Sequence, residues 1–134
     1  MLTLEYNRRA HSQQLSSMTR ILSISTSEVL RTTRQLVLEK EGYKAVSVGD
    51  PSDHTFSADD KFDLAIIGHT IRGQDKRRMA NIINQHFPGL PILELCFHSP
   101  EIPGADFIFS DSPADLLVAI REILAGRRVR GFLP

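Results

Sequence analysis

Between Asp63 and Gly68 the chain is apolar without interruption, Leu64-Ala65-Ile66-Ile67, and it turns polar at once in Gly68-His69-Thr70. Four residues are too few for a buried helix. An apolar run with no polar alternation suits a central parallel strand covered on both faces. Other segments fall into place around it. Residues 20–25 (RILSIS) read as a first strand. Ser27 is placed to cap a following helix with Glu28 in its first turn, and Leu30, Thr33, Leu36, Val37 and the stem of Lys40 mark that helix's apolar face. Gly42 closes it as a left-handed cap. Residues 43–48 (YKAVSV) alternate as a half-exposed strand.

Residues 49–61 (GDPSDHTFSADDK) read as a loop holding one short helical turn, with Phe56 as its only large apolar anchor. After Gly73, residues Met79, Ile82, Ile83 and Phe87 recur at helical spacing until Pro88-Gly89 stops them. Residues 91–96 (PILELC) form a fourth strand. The stretch 97–104 (FHSPEIPG) carries two prolines and cannot make a proper helix. Residues 107–109 are a short fifth strand. Ser112-Pro113-Ala114-Asp115 then starts a helix whose stripe is Leu116, Leu117, Ile120, Ile123 and Leu124. Strands alternating with helices predict an α/β, doubly wound, five-stranded parallel sheet.

The expected division is an extension over 1–19, with Met18 a candidate start of translation, a domain over 20–127 and a tail over 128–134. The chain has 134 residues, 41% apolar and 24% charged, with 16 basic and 16 acidic side chains. That balance gives no overall field toward nucleic acid or an anionic membrane. No window approaches a membrane span, the amino end lacks a secretory core, and the single cysteine, Cys96, agrees with a reducing interior. The expectation is a cytoplasmic protein.

In this order, the pieces RILSIS, EGYKAVSV, FDLAIIG, FPGLPILELC, GADFIF and ADLLVAIREIL resemble the receiver domain of bacterial response regulators, the CheY-like, flavodoxin-type fold. The resemblance covers residues 20–127. It implies a helix between the fourth and fifth strands, for which only 97–104 is available, so that helix is expected to be reduced or absent. It also implies an acidic pair after the first strand, matched here by Ser25 and Thr26. The phosphorylated aspartate is matched by Gly68, the Thr or Ser of the fourth strand by Cys96, and the lysine after the fifth by Ser110. Hydroxyls alone are poor Mg²⁺ ligands, and glycine offers no nucleophile. The resemblance therefore predicts a degenerate pseudo-receiver with no cofactor and no catalysis. It would bind a protein partner: a sensor kinase, another regulator or a second copy of itself. The first and last helices are the expected surface. Phe107 matches the receivers' rotating aromatic and is expected to be plain core.

Three residues near the carboxyl edge, His69, Cys96 and His98, with Glu28 nearby, are candidate ligands for a small molecule or soft metal. They lack the spacing of zinc sites, so a polar rim beside a buried thiol is the expected reading. Cys96 with His98 as nucleophile and base lacks an orienting acid, and His69 as a phosphoacceptor lacks metal ligands. No glycine-rich phosphate loop follows the first strand (STSEVLR). A regulator that has lost a DNA-binding half is a third reading. Two basic clusters, Arg72/Lys76/Arg77/Arg78 and Arg127/Arg128/Arg130, are expected to be solvated, although cations at the head of a helix oppose its dipole.

Overall fold

The structure is a computed structural model and describes residues 19–131. The expected extension, apart from Thr19, and the last three residues, including Phe132 and Leu133, lie outside the described residues. Among the described residues, six strands form one parallel sheet: β1 (Arg20–Ile24), β2 (Lys44–Val48), β3 (Leu64–Ile67), β4 (Ile92–Leu95), β5 (Asp106–Ile108) and β6 (Arg130–Gly131), in the spatial order β2-β1-β3-β4-β5-β6. Among the described residues, three helices cover it: α1 (Glu28–Lys40), α2 (Gly73–His86) and α3 (Pro113–Leu124), with a 3₁₀ turn at Pro51–Asp53.

The unbroken run of β3 does what its pattern predicts. Leu64 and Ile66 point into a core with Leu38 of α1 and Leu116, Ala119, Ile120 and Ile123 of α3. Ala65 and Ile67 point the other way, to Met79, Ala80 and Ile83 of α2. The helix starts also follow the sequence. Ser27 Oγ accepts from the Leu30 amide at 3.3 Å and Ser112 Oγ from the Asp115 amide at 3.4 Å. Gly42, at φ +93°, ends α1. Phe56 anchors the 49–61 loop edge-on to Phe87, ring centroids 5.2 Å apart.

The fold departs from the expectation in four places. The face of α1 is rotated: Arg34 and Leu38 are its buried residues, while Thr33 is exposed and Leu36 is 62% exposed. Arg34 takes an inward position that brings its guanidinium over Gly68, into the space a side chain there would occupy.

Second, the basic head of α2 is solvated only in part: Arg72, Arg77 and Arg78 are exposed, but Lys76 is not. Lys76 is buried and donates to Glu94 Oε2 at 2.9 Å and to the Leu95 carbonyl at 2.8 Å. Arg77 pairs with Glu101 at 3.0 Å, and Arg78 with Asp50 at 2.7 Å. These partners offset the unfavourable dipole.

Third, the tail after α3 turns back into the sheet. Asp106 Oδ1 accepts from the Val129 amide at 2.7 Å and from Arg128 Nε at 3.0 Å, and Arg128 Nη2 donates to the Gly104 carbonyl at 2.7 Å. That carboxylate steers the chain so that Arg130 and Gly131 pair with Phe107 and Ile108, adding a sixth strand to the five expected. Arg127 pairs with Glu122.

Fourth, Phe107 is half-buried rather than plain core. It stands on the face of β5 that a fourth helix would cover. No helix occupies residues 97–104. That segment is stapled instead: Glu94 Oε1 accepts from the amides of Glu101 and Ile102, both at 3.0 Å.

Candidate functional site

The strand order reverses between β1 and β3, so their carboxyl ends flank a crevice where ligands gather in open α/β sheets. Ser25 and Thr26 leave β1 there, and Gly68 and His69 leave β3. Ser25 is fully buried and its Oγ accepts from the Ser27 amide at 3.2 Å, so the hydroxyl serves the turn into α1. Thr26 is exposed.

Above Gly68 lies a guanidinium. A Cβ added to Gly68 would fall 2.7 Å from Arg34 Nη1 and 3.2 Å from the Ile24 carbonyl oxygen. Arg34 fills the volume that a side chain at this position would occupy. Its Nη2 stands 3.2 Å from His69 Nδ1. An arginine only donates, so Nδ1 must be the acceptor and the neutral ring carries its proton on Nε2. That nitrogen faces Asp111, 4.0 Å away. The Phe97 ring packs edge-on against the imidazole, centroids 4.5 Å apart. Burial, then the Arg34 charge, hold His69 below the ordinary histidine value, with Lys76 adding to them and Asp111 opposing. Burial also lowers the Arg34 pKa, against Asp111. One turn earlier, Arg31 Nη1 donates to the Ser25 carbonyl at 2.8 Å.

The other candidate positions are tied up locally. Ser110 Oγ donates to Asp115 at 2.7 Å and accepts from the Ser112 amide at 3.1 Å, supporting the start of α3. Cys96 is buried, its Sγ 3.9 Å from the Glu94 carbonyl oxygen. Burial, then the nearby Glu94 carboxylate, push its thiol up to about 12, far from a reactive thiolate. His98 and Glu28 are exposed. Among the described residues, no three His, Cys, Asp or Glu side chains gather to hold a metal ion. The edge instead carries Arg31 and Arg34. Arg34 could have been found: with Leu30 and Leu38 it makes an i, i+4, i+8 stripe, the spacing of one helical face.

No family model matches the sequence, and no curated protein matches it either. Solved structures do match. A CheY-like receiver domain protein from Methanospirillum hungatei superposes with a TM-score of 0.66 at 18% identity, over 81% of this chain and 94% of that one. The chemotaxis response regulator CheY4 of Vibrio cholerae gives 0.63 at 19%, over 79% and 98%. The response regulator TrrA from Thermotoga maritima, in complex with Mg(2+)-BeF, gives 0.62 at 22%, over 80% and 99%. The fold is that of CheY-like receiver domains, flavodoxin-like, with the fourth helix missing. Among the described residues, no helix is long and apolar enough to cross a membrane.

Proposed function

We propose that this chain is a receiver-like signalling module that binds a protein partner and never passes through a phosphorylated state. The observation that carries the reading is Arg34 lying over Gly68. A phosphoacceptor position would need a carboxylate there and a metal held by acidic neighbours. The chain has a guanidinium above a glycine, with Ser25 folded into its own turn.

What remains for function is surface. Val29 and Leu36, seven residues apart on α1, are 74% and 62% exposed, and Leu124 at the end of α3 is exposed as well. Two large apolar side chains two turns apart make an anchor pair for another helix. The partner would be a sensor kinase, another regulator or a second copy, engaged regardless of phosphate, in the cytoplasm.

The test is incubation with acetyl phosphate and Mg²⁺, followed by intact-mass measurement and thermal unfolding. No phosphoryl adduct is expected, and the melting temperature should be the same with Mg²⁺ as with excess chelator. A stoichiometric adduct would overturn the reading. Val29→Asp with Leu36→Asp should abolish capture of the cognate partner while leaving the melting temperature nearly unchanged.

A further inference from the structure

Three buried polar groups on the α1 side of the sheet have no hydrogen-bond partner among the described residues: Arg34 Nη1, Ser23 Oγ and Ser47 Oγ. They lie on one face of the sheet. Ile21 and Ile66 face the α1 core, so by strand alternation Ser23, Ser25 and Gly68 face it too. Ala45 packs on the same core, which places Ser47 there, and Ser47 pairs in register with Ser23. Arg34 is only 6% exposed. A buried donor left unpaired costs about 1–3 kcal/mol, more when it is charged, so three together require an explanation.

All three can donate, and one is a cation. The acidic group facing Arg34 is Asp111, a through-space neighbour whose side chain is largely exposed. Arg31 points into the same edge, and Lys76 adds positive potential at His69. A water molecule would satisfy the hydroxyls and leave the charge. An anion satisfies both. The amino end of α1 adds the positive pole of its dipole at the same rim.

We infer that the carboxyl edge on the α1 side is a metal-free binding site for a small oxyanion, a carboxylate or phosphate group accepting from Arg34 Nη1. The electrostatics are inverted relative to a magnesium site: the protein supplies the cation and the ligand the negative charge. Ser23 and Ser47, one step inward on the same face, extend the donor patch. His69, bonded to Arg34 and covered by Phe97, closes it from solvent, so its displacement is the way in. The inference is independent of the partner-binding reading above. Phosphorylation would need Mg²⁺ and leave a covalent adduct, whereas this binding needs neither.

The test is thermal unfolding in excess chelator with inorganic phosphate and, separately, acetate. Ionic strength is held constant with a bulky organic sulfonate. A ligand confined to the native state raises the melting temperature with concentration. One or both probes should do so in the wild type, and which one does identifies the ligand group. Arg34→Met should weaken binding at least about tenfold, the loss of one charge-assisted hydrogen bond. No rise with either probe, or the same rise in Arg34→Met, overturns the site and leaves ordered water or an adventitious surface ion. Should Arg34→Met fail to fold, Ser23→Ala serves instead. Without anion it should be at least as stable as the wild type, having lost an unpaired hydroxyl, and its response to the anion should be weaker. An undiminished response counts against the site.

Discussion

Lys76 and Glu94 form a buried ion pair, Nζ to Oε2 2.9 Å, with side chains 4% and 0% exposed. The pair joins α2 to β4, and the same carboxylate holds the loop that stands in for a helix. Glu94 accepts from Lys76 and from the amides of Glu101 and Ile102. Desolvating two charges is offset only when the remaining hydrogen-bonding capacity is used, as it is here.

Removing one partner should therefore cost far more than removing both. Lys76→Met is expected to destabilise by about 3–5 kcal/mol, because the carboxylate stays buried without its cation. Lys76→Met with Glu94→Leu should cost less than the sum of the single changes. Urea unfolding of the four proteins in a double-mutant cycle measures this. Additive costs would show that the pair is not coupled.

Gly68→Ala tests the close approach of Arg34. The new methyl would meet Nη1 at 2.7 Å and the Ile24 carbonyl oxygen at 3.2 Å. A destabilisation of about 1–3 kcal/mol is expected, as for other overpacked sites. Much of it should vanish in an Arg34→Met background, since the guanidinium is the nearer obstacle. Gly68→Asp should still fail to take phosphate from acetyl phosphate, because Ser25 and Thr26 supply no acidic pair for Mg²⁺.

Stability should fall as the medium becomes mildly acidic. His69 is held below the ordinary histidine value of about 6.5, so on lowering the pH the unfolded chain takes up a proton first. The stability contributed by the neutral ring is complete above that ordinary value and is lost as pH falls through the lowered folded-state value. Melting temperatures from pH 7.5 down to 5 should fall more steeply in the wild type than in His69→Gln. Parallel curves would contradict this assignment.

The Cys96 thiol, pushed up to about 12 and buried, should alkylate slowly at pH 8 in the native protein. Its labelling rate should rise with urea in step with unfolding. Rapid labelling without denaturant would mean that the edge opens around Cys96.

The strands and helices were legible because their signals are local. LAII carries the pattern of a doubly covered strand, and Ser27, Gly42 and Ser112 carry the chemistry of helix ends. The lack of a fourth helix was legible in the prolines of residues 97–104, but what replaces it was not. Nothing local says that Glu94, inside an apolar strand, accepts from two amides seven and eight residues on. Lys76 reads as solvated from sequence, and Arg34 goes unmarked, for a related reason. A cation on a helix is taken as solvated until its partner is known, and these partners come from β4 and the turn after β3. β6 was hidden in the same way. Two residues carry no periodicity, and Asp106, which brings them to the sheet, lies 24 positions before Arg130. The empty acidic positions at the edge could be read from Ser25, Thr26 and Gly68, whereas the arginine replacing them required the true face of α1.

The carboxylate staple bears on motion as well as on architecture. A surface segment with two prolines and no regular structure ordinarily exchanges its amide hydrogens fast. The amides of Glu101 and Ile102 are instead bonded to a side chain rooted in β4, and the Ile102 side chain is buried in the α2 core. Deuterium should enter these two positions only when β4 itself lets go. The slowest-exchanging amides outside the helices and strands would then mark a loop moving in time with the centre of the sheet.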